Sequence, residues 1–121
     1  DTDWIERLDW KNIAKAQTIG EKEAQLSYSE TYEPLLKGFN IALDVLGKKV
    51  DTYAFSALIE DKNEVNFFIG GAYGFQRVFL TKCDVTISLC DLTMAHKVAN
   101  VVLTEQIFRA LSIQNNHPYH K

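Results

Sequence analysis

The longest uninterrupted helical pattern in this chain runs from about Ala95 to Ile113, and its apolar residues do not fit a single stripe. Val98, Val101, Val102, Leu103, Ile107, Phe108 and Leu111 spread over more than one face. A helix that is apolar on two sides is buried on two sides. One side can cover a sheet of the same chain, and in so short a chain the other is expected to meet a second copy. A homodimer is therefore expected. The polar positions left on this helix include His96 with Asn100 and Glu105 with Arg109, pairs four apart and so neighbours on the helix surface. Alone, Glu105 and Arg109 read as a local ion pair.

Length bounds what this helix can belong to. With 121 residues the chain is one domain's worth, residues 1–121, enough for a single core. A hydrophobic content of 46% and a charged content of 24% are ordinary for a globular domain. No apolar run approaches the roughly 20 residues that span a bilayer, and no signal peptide is read, so no membrane partner and a cytoplasmic location are expected. Cys83 and Cys90 are too few for a disulfide framework, and no CxxC metal pair is present. Residues 1–63 hold eight Lys and Arg against twelve Asp and Glu, whereas residues 64–121 hold five against four. This balance argues against broad electrostatic binding, and no DNA partner is expected, but local positive charge still permits an RNA substrate.

The rest of the chain alternates between strand and helix patterns. Asp1 to Asn12 reads as a short strand or extended arm. Gly20 to Leu36 reads as a helix with Ala24, Tyr28, Tyr32 and Leu35 or Leu36 inward, a break near Pro34 and a stop at Gly38. Phe39 to Asp44 is a short apolar run that suits a buried strand, with Gly47, Lys48 and Lys49 as the turn after it. Asp51 or Thr52 can cap a helix reaching about Asp61, with Phe55, Leu58 and Ile59 inward. Val65 to Ile69 is a strand, Phe75, Val78, Phe79 and Leu80 suggest a helix, and Val85 to Ser88 is the last strand. Such alternation predicts an α/β fold, a mostly parallel sheet with helices on both faces. Ligands on such sheets bind beyond the carboxyl ends of the strands. Leu43, the glycine-rich loop Gly70-Gly71-Ala72-Tyr73-Gly74, and Leu89 to Met94 fall there.

Glycine permits close approach of backbone to a ligand. The loop is neither a GxGxxG fingerprint nor a Walker loop, however, and on pattern alone a tight structural turn ranks ahead of a cofactor site. The tail, Asn115 to Lys121, carries His117 and His120. A zinc site would need these with His96 or Asp91, and no recurrent spacing supports it, so no metal is expected. Pro118 and Tyr119 point instead to an ordered cover.

Phe67-Phe68-Ile69-Gly70-Gly71-Ala72-Tyr73-Gly74, Ser88 through His96, Glu105-Gln106-Ile107-Phe108-Arg109-Ala110 and Asn116-His117-Pro118-Tyr119-His120 together strongly resemble the ribosomal RNA large subunit methyltransferase H family, of the SPOUT class. Ile41-Ala42-Leu43-Asp44 also matches, so the resemblance covers about residues 20–121, with the terminal Asn-His-Pro-Tyr-His its most specific word. It implies a trefoil-knotted α/β fold, a rare exception to the rule against knots. It also implies an enzyme that uses S-adenosyl-L-methionine to methylate N3 of a pseudouridine in 23S rRNA of the assembled ribosome. Carried over by motif, the cofactor contacts fall at Leu43, Gly70, Leu89, Cys90, Asp91, Leu92, Thr93 and Met94.

Methyl transfer from a sulfonium needs alignment, and the attacking imide nitrogen must lose a proton. In this reading Arg109, projecting from the last helix near the 89–94 loop, stabilises the developing anion. His96 or His120 accepts the proton, and Tyr119 stacks on the base or closes the site. Two departures stand out. The family's glycine loop commonly reads Gly-Gly-Pro-Glu-Gly where this chain has Ala72 and Tyr73, and the family's opening strand and helix are expected to be missing from this sequence. The alternative function is a non-catalytic RNA- or ribosome-binding dimer that retains the fold.

Overall fold

A computed structural model describes residues 21–70 and 74–120. The arm expected at Asp1 to Asn12, the side chains of Ala24 and Tyr28, and Ala72 and Tyr73 lie outside the described residues. In chain order the elements are α1 (Glu21–Tyr32), a 3-10 turn (Glu33–Leu35), β1 (Phe39–Lys49), α2 (Thr52–Ile59), β2 (Val65–Ile69), α3 (Arg77–Lys82), β3 (Val85–Ser88) and α4 (His96–Gln114). Pro34 ends α1 as expected, because a proline cannot donate the next helical bond and the chain tightens into the 3-10 turn. Asp51 caps α2, its carboxylate accepting from the Ala54 N–H at 2.8 Å.

The three described strands form one parallel sheet in the order β2-β1-β3. Alternation along the central strand sends side chains to opposite faces. Ala42 packs with Tyr32, Phe68, Phe75 and Phe79 on the face covered by α1 and α3. Ile41 and Leu43 pack with Phe55, Ile87, Leu103 and Ala110 on the face covered by α2 and α4. Helices on both faces of a parallel sheet are what the alternating sequence pattern predicts. Phe79, 1% exposed, meets Phe68 and Phe75 at ring separations of 5.3 and 5.1 Å. Truncating it to alanine should cost about 3–5 kcal/mol through lost transfer energy and the void left behind.

One expectation fails at the end of β1. Gly47, Lys48 and Lys49 do not form a turn after a strand ending at Asp44; the strand runs on to Lys49. Leu43 and Lys48 both pair with Ile87, so the residues between them are pushed out as a bulge before Lys49 pairs with Ser88. Gly47 makes the return possible, since a Cβ there would stand 2.7 Å from the carbonyl carbon of Ile87. Close contact with β3, rather than turn geometry, explains this glycine.

The two-sided helix is observed, and its second side is divided. Leu103 and Ala110 are buried against the sheet, while Val98 and Val101 are 50% and 69% exposed. Further along the outer side Ser112 is fully buried. There the chain has turned back on itself: Asn116 adopts a left-handed backbone with φ of 56°, and the His117 N–H donates to the Ser112 carbonyl at 2.8 Å. This pattern satisfies the last carbonyls of a helix and reverses the chain. The Tyr119 ring then packs edge-on against Phe108 at 4.7 Å. The chain's own tail therefore covers the C-terminal half of a face expected to meet a second copy, and the N-terminal half is open.

Candidate functional site

In a parallel sheet the strands run the same way, so the bulge after Leu43 and the loops after Ile69 and Ser88 open at one edge. A cleft of about 700 Å³ opens there, within the range typical of small-ligand sites. Its lining comes from the β1 bulge, the two ends of the glycine loop, the segment after β3 and the first turn of α4. Of the residues expected to hold a cofactor, Leu43, Gly70, Leu89, Cys90, Leu92, Thr93 and Met94 line it. Asp91 does not: its carboxylate turns outward to Lys49, 2.8 Å away.

The walls are mainly backbone and apolar side chains, with few charges. Ser88, 1% exposed, donates from its hydroxyl to the Cys90 carbonyl at 2.8 Å and so shapes the segment after β3. At Gly70 the loop itself leaves little room for a side chain. A Cβ there would stand 3.1 and 3.2 Å from the carbonyl carbon and Cα of Gly74 and 3.2 Å from Cε2 of Phe75. A larger residue at 70 would press on the loop's own return as well as on a ligand. The two cysteines differ. Burial, with Asp84 adding to it, pushes the Cys83 thiol up to about 11, whereas Cys90 is exposed beside the cleft.

His96 is the one residue of the expected acid-base set that lines the cleft. Its Nδ1 lies 3.3 Å from the Gly70 carbonyl oxygen. A carbonyl can only accept, so the neutral ring carries its proton on Nδ1 and keeps its lone pair on Nε2.

Arg109, Tyr119 and His120 gather elsewhere. Arg109 lies thirteen helical residues beyond His96, about 20 Å along α4, and not near the 89–94 loop as expected, and the tail brings Tyr119 and His120 to it. The Arg109 guanidinium and the Tyr119 hydroxyl both donate to the same Glu105 oxygen, each at 2.7 Å, and Gln106 donates to the other at 2.9 Å. These bonds, Arg109's first, hold the Glu105 carboxyl below its usual range. In return the Glu105 bond raises the pKa of both Arg109 and Tyr119. The guanidinium also lies 4.8 Å over the Tyr119 ring. The other side of His120 meets Tyr53 of α2, its Nε2 3.1 Å from the hydroxyl. Sequence reasoning missed Glu105 as the hub and Tyr53 as a member. The spacing of Glu105 and Arg109 was a visible signal for the first, and nothing local marks the second.

A parallel α/β sheet with a mainly neutral cleft at its carboxyl edge defines the class: an α/β protein built to bind a small ligand at its strand ends. A model of the family described as predicted SPOUT methyltransferase matches residues 3–120. The chain belongs to the SPOUT methyltransferase family. It is 86% identical over 111 residues to the ribosomal RNA large subunit methyltransferase H of Aliarcobacter butzleri strain RM4018, covering 92% of this chain and 74% of the relative. Identity to the protein of the same name from Sulfurovum sp. strain NBC37-1 is 54% over 118 residues, 97% of this chain and 76% of the relative. For that from Wolinella succinogenes it is 54% over 113 residues, 92% and 73%.

Proposed function

We propose that this protein is an S-adenosyl-L-methionine-dependent methyltransferase that modifies N3 of a pseudouridine in 23S rRNA of the assembled ribosome, in the cytoplasm. Residues 1–121 act as one SPOUT domain in its trefoil-knotted form. The observation that carries the reading is the cleft. The β1 bulge and the carboxyl ends of β2 and β3 supply its walls, and seven residues of the expected cofactor set line it. Its fit to the donor rests on volume, on apolar side chains at Ile69, Leu89, Leu92 and Met94 for the adenine, and on exposed backbone at Gly70 and Gly74. When bound, the donor supplies an activated methyl group whose leaving atom departs without charge.

The chain's own residues then have distinct tasks. Backbone groups of Leu89 to Met94 hold and orient the donor. His96, with its lone pair on Nε2 at the cleft, takes the proton from the imide nitrogen. His120 is poorly placed for that role, because its Nδ1 lone pair faces Arg109 at 2.9 Å. Arg109 and Tyr119 serve the nucleobase, and they do so from a second copy of the chain. Arg109 stands ten helical residues, about 15 Å, beyond Ala99, the last cleft residue of α4, and Tyr119 is bonded beside it at Glu105, so neither lines its own cleft. A twofold axis crossing α4 near Val101 sets the helices antiparallel, which brings Thr93 and Met94 of one copy level with Arg109 and Phe108 of the other. Val98 and Val101, exposed in the single chain, become the contact.

Full-length protein incubated with S-adenosyl-L-methionine and ribosomes lacking the modification should yield 3-methylpseudouridine on digestion and mass spectrometry of the large-subunit rRNA. Stoichiometric ribosome binding without cofactor binding or methylation would instead mark a non-catalytic RNA-binding dimer. Light scattering should give a dimer at micromolar concentration, and a monomer there would remove the shared site.

A further inference from the structure

The cleft holds little charge, and what it holds is unevenly placed. Among the described residues that line it Asp44 is the sole carboxylate, with His96 and Lys97 the side chains capable of positive charge. Asp44 opens the β1 bulge. Its Oδ1 accepts the Leu46 N–H at 2.9 Å, which fixes the bulge. Its Oδ2 lies 3.4 Å from the point a Cβ on Gly74 would occupy, beside the end of the glycine loop. Among the described residues no Lys, Arg or His forms an ion pair with Asp44, and Gly71, Ala72 and Tyr73 carry no charge that could. One carboxylate oxygen thus holds the bulge, while the other, partly exposed at the cleft, is left to meet a cation that binds there.

The donor in the proposed function is such a cation. S-adenosylmethionine carries a positive sulfonium that its thioether product lacks, whereas the ammonium and carboxylate of the amino-acid end are common to both. We propose that Asp44 is a charge-selecting residue, its Oδ2 facing the sulfonium end of the donor, so that the cleft prefers substrate over product. The inference rests on the reading of the cleft as the cofactor site. In the transfer, the nitrogen lone pair forms the new N–C bond and the C–S pair returns to sulfur. The imide proton passes to His96, and the attraction between Asp44 and sulfur disappears with the charge. Donor retention and product release are then two consequences of one carboxylate.

Asp44→Asn isolates this charge, because an amide oxygen can still accept from Leu46 and the side chain keeps its size. Calorimetry on the full-length protein should show the Kd for S-adenosylmethionine rising about tenfold or more, while the Kd for S-adenosylhomocysteine changes less than about threefold. Sinefungin, which bears an amine in place of the methylsulfonium, should follow the donor. Wild-type protein supplies a measurement that needs no variant: affinity for the donor should fall with added salt more than affinity for the product. Equal losses for donor and product in the variant, or no loss for either, would overturn the assignment. So would matching salt dependences in the wild type. If wild type binds neither compound, the cofactor reading itself fails and takes this inference with it.

Discussion

Nδ1 of His120 lies 2.9 Å from a guanidinium nitrogen of Arg109, and since a guanidinium has only donors, that ring nitrogen must be the acceptor. The ring proton is then on Nε2, 3.1 Å from the Tyr53 hydroxyl. His120 links the start of α2 to Arg109 on α4 and presents no free lone pair of its own.

Two replacements separate the ring's two contacts. Asparagine places its carbonyl near the position of Nδ1 and should keep the Arg109 bond; glutamine reaches the position of Nε2 and should keep only the Tyr53 contact. His120→Asn is expected to retain most of the methylation rate and His120→Gln to lose about tenfold or more, the scale of one lost charged hydrogen bond. Nitrogen-15 shifts of the wild-type ring should report the Nε2–H tautomer, and the opposite tautomer would refute the arrangement.

Arg109→Ala should lower single-turnover methylation by about two to three orders of magnitude, the range for losing one group that stabilises transition-state charge. Cofactor affinity should barely move, because the guanidinium is not part of the cleft in its own chain. Arg109→Lys should restore the rate only in part, since a point charge cannot serve Glu105 and His120 in the planar fork. A rate within about threefold of wild type would leave Arg109 as scaffold for the tail.

The pH dependence of the tail follows from the shared carboxylate. Glu105 is held below its ordinary value of 4.5, so its contribution is complete above that unfolded value and is lost as pH falls through the lower folded one. Tyr119 runs the other way. Raised above 10, chiefly by its bond to Glu105, it contributes fully below that value and loses the contribution as pH rises through the raised folded one. Phenolate absorbance, taken as the difference between wild type and Tyr119→Phe, should therefore appear at higher pH than for a free tyrosine. In Glu105→Gln it should shift back toward 10; an unchanged titration would show that Glu105 does not hold the tail.

Gly47→Ala tests the bulge. The added carbon would meet the Ile87 backbone at 2.7–2.9 Å, and strand backbone cannot yield as a flexible side chain would. A loss of about 1–3 kcal/mol in denaturant unfolding is expected, the usual scale for overpacking. Cofactor affinity should fall as well, because Asp44 and Val45 belong to the same bulge and line the cleft. Unchanged stability would mean that the bulge re-forms without its glycine.

Local chemistry was enough to determine the elements and their class. Val65 to Ile69 and Val85 to Ser88 are strands because short β-branched and aromatic runs bounded by polar residues leave little else, and Asp51 announces its helix by being able to cap it. Alternation of those elements implied a parallel sheet, and a parallel sheet implies a site at its carboxyl edge, which is why Leu43, Gly70 and the 89–94 segment were legible together. Tertiary structure alone decided what depends on distance between parts far apart in the chain. The β1 bulge exists because Ile87 meets both Leu43 and Lys48, a relationship that no window around Gly47 contains. Tyr53 reaches His120 across 67 positions, and Arg109 stands about 20 Å along α4 from His96 because side chains on one rigid rod cannot converge, however close their roles. Sequence pattern marks which residues have the chemistry, and only the packed chain decides which of them can meet.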